Sequence, residues 1–168
     1  MKKREKELLL QLLKNSKLSD REIAKKLKTS QSTITRNRHR LEKKVLVSYT
    51  CVPDLQKLSI KLIAITLCRC INPSSKSKDM MHVFRDSMPN IIFSGHGEGM
   101  GKTMTVISLH NDFSDYTTFM SNLRQVSKDC FEDLESFLIP TDGFLRDLNF
   151  SNAVEYLISK MDKSKIID

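Results

Sequence analysis

Two helix starts close together near the beginning of this chain fix what its first segment can become. Ser19-Asp20-Arg21-Glu22 has the Ser-x-x-Glu spacing of a capping box: the Ser oxygen accepts an orphan backbone N–H while the Glu reaches back to the cap. Ser30, behind Thr29, can cap the next helix. Only Ile23, Ala24 and Leu27 lie between them as an inward face, so the helix there is short and the turn behind it tight. Upstream, Leu8, Leu9, Leu12 and Leu13 repeat at helical spacing over residues 3–15, and Asn15-Ser16-Lys17 interrupts them. Downstream, a third helix is predicted from Gln31 to about Lys44. Val45-Leu46-Val47 and the run from Tyr49 to Val52 are β-branched and aromatic, and read as a short hairpin or wing. Three helices and a wing in this order make a winged helix-turn-helix.

Charge follows the same division. Residues 1–50 carry 15 Lys and Arg against 5 Asp and Glu, whereas residues 51–168 carry 13 against 15. The net charge of +8 is therefore a basic module on a nearly neutral body, which points to nucleic acid or an anionic surface as partner. With Ile34 inward and about 100° per residue, Leu41 returns to the same side of the third helix. Ser32, Arg36, His39, Arg40 and Lys43 then face outward, flanked by Thr33 and Thr35, with Asn37 nearer the core edge. Ser30 and Gln31 open the same helix and complete the candidate DNA-binding set. Arg forks can read guanine edges, Asn can read adenine, and hydroxyls can bind phosphate.

The stretch from Lys17 to Glu42 resembles the helix-turn-helix of Lrp/AsnC-type transcriptional regulators, and the resemblance continues through Val47, Tyr49, Asp54, Leu58 and Leu62 to Cys70. It implies a helix-turn-helix, a wing, a linker strand and a small ligand-sensing domain, in that order. Ser32, Thr33, Thr35, Arg36 and Arg40 match the family's recognition helix and inherit the expectation of DNA contact. Two departures stand out. Arg38 occupies a usually apolar position, so its stem must snorkel along the core edge. The wing lacks its usual glycine, since Lys44 runs straight into Val45.

The second half reads as β-α-β-β-α-β, the ferredoxin-like order. Residues 61–71 alternate as a strand; residues 78–88 form a helix with Met81, Phe84, Arg85 and Met88 at helical spacing. Residues 91–94 and 103–109 are strands joined by a glycine-rich loop, residues 113–126 a helix, and residues 131–139 a last strand. Beyond Pro140, the stripe of Val154, Leu157, Ile158 and Met161 predicts an amphipathic helix that packs on the chain's own sheet or across a subunit boundary. The expected fold class is α+β. A winged helix-turn-helix domain spans 1–50, a linker 51–60, a ferredoxin-like sensing and dimerisation domain 61–140, and a helical extension 141–168.

The remaining motifs are weaker. Gly95-His-Gly-Glu-Gly-Met-Gly-Lys-Thr103 fails the phosphate-binding register, because the glycine required before Gly101-Lys102-Thr103 falls on His96. The family resemblance instead implies that this loop, with Gly95, Gly97, Glu98, Gly99 and Gly101, lines an effector or oligomer interface, Gly95 and Glu98 matching a Gly-x-x-acid pattern. Cys68 and Cys70 lack the spacing and the companion ligands of a zinc site and read as core residues. The histidines at 39, 82, 96 and 110 show no ligand spacing and no adjacent nucleophile. No metal, cofactor or catalytic set is expected.

No apolar run reaches the roughly 18 residues that span a bilayer, and the start does not read as a signal peptide, so a cytoplasmic, non-enzymatic protein is expected. Its expected partners are double-stranded DNA, itself (as a homodimer, with tetramer and octamer open) and a small-molecule effector such as an amino acid. Two alternatives stay open: an architectural protein that coats DNA, and an enzyme similar to the sirohaem decarboxylases that share this layout, with His96 or His110 as its catalytic group.

Overall fold

The computed structural model describes residues 1–46, 48–71, 87–127, 130–144 and 150–164. The chain divides into two units: residues 1–52 with 146–168, and residues 53–145.

The first unit begins with α1 (Lys3–Lys14), α2 (Asp20–Lys26) and α3 (Gln31–Lys44). Both expected caps are formed. The Glu22 N–H donates to Ser19 Oγ at 3.3 Å while Ser19 N–H donates to Glu22 Oε2 at 2.8 Å, and the Thr33 N–H donates to Ser30 Oγ at 3.2 Å. The tight turn closes without glycine. Lys28 takes φ +50°, the Thr29 N–H reaches Ala24 O at 3.0 Å and the Lys28 N–H reaches Lys25 O at 3.3 Å, the paired bonds of a Schellman stop. Leu8, Leu9, Leu12, Ile23, Ala24, Ile34 and Leu41 are buried together as the core of this unit.

The wing is not built as a hairpin. Among the described residues 45–60 none is in a strand, and Val47 lies outside them. No glycine turn follows Lys44 to double the chain back, and Tyr49 is held against α3 instead, its hydroxyl donating to Glu42 Oε1 at 3.0 Å.

The second unit is a four-stranded antiparallel sheet of β1 (Leu62–Cys70), β2 (Ile91–Gly99), β3 (Lys102–His110) and β4 (Phe131–Pro140), in the order β2-β3-β1-β4. Helix α4 (Phe113–Ser127) covers one face. Phe119, Met120 and Leu123 pack there with Cys68, Met104, Val106, Cys130 and Phe131. The helix expected over 78–88 lies outside the described residues, apart from its end at Ser87 and Met88.

The glycine-rich segment is strand rather than loop. β2 runs on to Gly99, pairs it with Lys102, and turns through Met100 (φ +54°) and Gly101 (φ +71°). A two-residue turn with both φ values positive matches the twist of the strands it joins, so the hairpin continues past the expected break. Leu62↔Pro140, Ile65↔Phe137 and Ile65↔Ile107 set the register of the central strands.

The last described element is α5 (Ser151–Ser164), which packs on α1 with Val154 and Ile158 against the helical core. The expectation that it packs on the chain's own sheet does not hold: two of its stripe residues meet the helical core, and Leu157 is 56% exposed.

Candidate nucleic-acid interface

Helix α3 is held by its inner residues and by one polar brace. Ile34 and Leu41 sit in the core. Asn37, expected near the core edge but counted in the candidate DNA-binding set, is only 7% exposed and belongs to the inner side. Arg38 is the brace: its Nε donates to Asp20 Oδ1 at 2.7 Å, its Nη2 to Leu18 O at 3.1 Å and its Nη1 to the Tyr49 hydroxyl at 3.4 Å. The expected snorkelling stem therefore ends in a fork that ties α3 to α2 and to the segment after α3. The Thr35 hydroxyl donates to the same Asp20 carboxylate at 2.6 Å and lies 3.1 Å from Gln31 O. Its one proton is therefore directed inside the fold, and Thr35 has no hydroxyl donor left for an outside partner.

The outward face holds most of the remaining expected residues. Gln31, Ser32, Arg36, His39, Arg40 and Lys43 are exposed, Thr33 is half-buried, and exposed Ser30 bonds both Ser32 Oγ at 3.1 Å and Thr33 Oγ1 at 2.8 Å. Gln31, Ser32, Thr35, Arg36 and His39 line one shallow hollow of about 690 Å³.

Its charge is less one-sided than a helical wheel suggests. His39 Nδ1 lies 3.2 Å from Glu42 Oε2, and Arg40 Nη1 lies 4.0 Å from Glu5 Oε1 of α1. Glu5 reaches the face from another helix, which no periodicity within α3 reveals. Arg36 and Lys43 form no ion pair among the described residues. They are the cations this face can offer to an anion without breaking a contact.

The second group of expected residues lies along the β2–β3 hairpin. Gly97, Glu98, Gly99 and Met100 line a cavity of about 250 Å³ with Leu67, Lys102, Met104 and Thr105. Lys102 is its buried cation, with Nζ donating to Asp133 O at 2.7 Å and to Glu135 Oε1 at 3.0 Å. Gly95 is tightly placed, since a Cβ there would stand 3.2 Å from the Phe93 ring. At Gly97 and Gly99 a Cβ would meet nothing, so the fold of this unit does not require glycine there. Gly101 serves the turn.

Of the other chemistry-bearing residues, His82 lies outside the described residues and His96 is exposed on β2. Ser108, His110 and Asp115 do line up: Ser108 Oγ is 2.8 Å from His110 Nε2, and Asp115 Oδ2 is 3.6 Å from His110 Nδ1. Ser108 is fully enclosed and His110 1% exposed, wedged between Tyr116 and Phe119, so no substrate reaches the pair. Cys68 is buried in the sheet core, and burial pushes its thiol up to about 11. Among the described residues no group of His, Cys, Asp and Glu is placed to hold a metal ion, and no helix is long and apolar enough to cross a membrane.

The architecture is shared with solved structures. An AsnC family transcriptional regulator from Agrobacterium tumefaciens matches at TM-score 0.74 and 18% identity, over 89% of this chain and 94% of that one. The fold is that of the Lrp/AsnC regulators. Another match is the transcriptional regulator NMB0573 of Neisseria meningitidis, solved with L-Met, at TM-score 0.77 and 14% identity over 90% and 95% of the two chains. A protein designated PH0061 reaches 26% identity at TM-score 0.74, over 89% and 97%. No family model and no curated protein matches the sequence.

Proposed function

We propose that the chain is a DNA-binding transcriptional regulator of Lrp/AsnC type, acting in the cytoplasm. The first unit is its winged helix-turn-helix without a formed wing, and the sheet unit is a ferredoxin-like sensing and dimerisation domain. The observation that carries this reading is the outward face of α3, where Arg36 and Lys43 stand exposed and form no ion pair among the described residues, on a helix whose other side is locked by Ile34, Leu41 and the Arg38–Asp20 brace. Such a helix can enter a major groove without reorganising. Lys and Arg around it supply the salt-dependent backbone attraction, and Arg36 with Gln31, Ser32 and Arg40 supplies the sequence term.

One helix makes too few base contacts for strong selectivity, so two copies are expected to bind half-sites about one duplex turn apart. The sheet offers the surface for pairing. Ile65, Ile107 and Phe137 lie opposite one another across three strands on the side away from α4, and Phe93 and Phe137 are 53% and 71% exposed. A small-molecule effector, an amino acid being the class suggested by the neighbour solved with L-Met, would bind at the β2–β3 hairpin, near Lys102 and Glu98.

The test is a titration of Arg36→Ala and Lys43→Ala on a selected duplex and on random DNA at several salt concentrations. Arg36→Ala is expected to cost about ten-fold or more on the selected duplex and less on random DNA, while Lys43→Ala weakens both alike and flattens the salt slope. Equal losses for Arg36→Ala on both duplexes would reassign it to phosphate contact. No binding by the unaltered chain at low salt would overturn the proposal.

A further inference from the structure

The last helix of the chain completes the first unit. Val154 and Ile158 of α5 pack against the cluster that holds Leu8, Leu12, Ile34 and Leu41, and Glu155 Oε2 stands 3.3 Å from Lys14 Nζ. A helical head of this size builds only a small core by itself, so two further aliphatic side chains are a large share of what holds it together. The Lys14–Glu155 pair is half-exposed on both sides and adds little. Apolar contact is what keeps α5 in place.

The segment that leaves β4 is held to the segment that enters β1. After β4, Thr141 is buried, and its N–H donates to Lys61 O at 2.9 Å while its Oγ1 donates to Ile60 O at 3.0 Å. Gln56 Nε2 donates to Thr141 O at 3.0 Å. These bonds clasp the segment that leads into β1 to the segment that leaves β4.

We propose that α5 is a built-in brace of the DNA-binding head, and that DNA affinity depends on α5 staying docked on α1. The reasoning rests on the reading of α3 as the DNA-binding helix. Ile34 and Leu41 of α3 share one cluster with the α1 leucines on which α5 packs, so loosening α5 loosens the floor beneath the recognition face.

The test uses the full chain carrying Ile158→Glu, with Ile158→Leu as the conservative variant, and reads amide exchange together with binding of a random-sequence duplex at low salt. Ile158→Glu is expected to speed exchange in α1 by about ten-fold or more, to leave β1 and β3 unchanged, and to weaken duplex binding by about ten-fold, with Ile158→Leu close to the unaltered chain. Should Ile158→Glu fail to fold, Val154→Ala is expected to give the same pattern at smaller size. Unchanged exchange in α1 would overturn the brace. Faster exchange in α1 with unchanged or tighter duplex binding would overturn its link to DNA. Failure of the unaltered chain to bind any duplex would overturn the reading of α3, while the exchange data would still decide whether α5 braces the head.

Discussion

Lys28 carries the conformational load of the turn that places α3. Its φ of +50° puts a β-carbon where glycine normally ends a helix, while the Thr29-to-Ala24 and Lys28-to-Lys25 bonds require that geometry. Replacing Lys28 by Gly is expected to raise stability by about 1 kcal/mol, read as a higher denaturant midpoint with an unchanged slope. A lower midpoint would show that the lysine side chain contributes more than its backbone costs. At Asp20, one carboxylate holds both Arg38 and Thr35. That double use explains why Arg38 can stand where the resemblance expects an apolar residue. It is also why Thr35 could not be assigned from α3 alone, since its partner sits in the preceding helix. Asn37 fails for a simpler reason, because a position near the core edge on a helical wheel is settled only by how closely the neighbouring helices pack.

At the scale of elements, β3 and α4 meet over His110. Burial lowers its pKa and the Asp115 carboxylate pulls the other way, the net shift being downward from 6.5. The folded chain therefore resists protonation that the unfolded chain accepts. Stability from this group is full above about pH 6.5 and is lost as pH falls through the depressed folded value. The melting temperature is expected to drop between pH 7.5 and pH 5 by more than in His110→Asn, whose stability is lower at pH 7.5 but flatter across that range. A fall of equal size in both chains would assign the pH dependence to other groups.

The helices α1, α2 and α3 and the caps of α2 and α3 were legible because each carries its signal locally, as the pairs Ser19–Glu22 and Ser30–Thr33 do. The β2–β3 hairpin was less so. Alternating glycines look like a loop, yet an edge strand tolerates them, and the turn at Met100-Gly101 depends on positive φ values that only Gly101 advertises. The wing misled in the opposite way, since β-branched and aromatic residues form a strand only where a second strand pairs with them, and none of the described residues 45–60 is in a strand.

For the whole molecule, the proposed two-helix recognition requires two copies to pair, and the open sheet face is the surface proposed for it. Phe137 is central to that face and largely exposed, so its burial in a dimer would be a main source of association energy. Phe137→Lys is expected to shift the chain from dimer to monomer in sedimentation while leaving its melting as a monomer intact, and to weaken binding to a two-half-site duplex far more than to a single half-site. A monomeric unaltered chain at the same concentrations would contradict the role given to this face. The destination of α5 belongs to this scale too. Its stripe was plain in the sequence, but the surface it covers depends on which cores remain open after both units have formed.

Selection of duplexes from random and genomic DNA by the unaltered chain, followed by titration of the enriched site against unselected DNA, tests the central claim most directly. The account predicts a palindromic site with half-sites about one duplex turn apart and a gap of roughly a thousand-fold or more over random sequence. Binding without enrichment would contradict it and make the chain a coating protein.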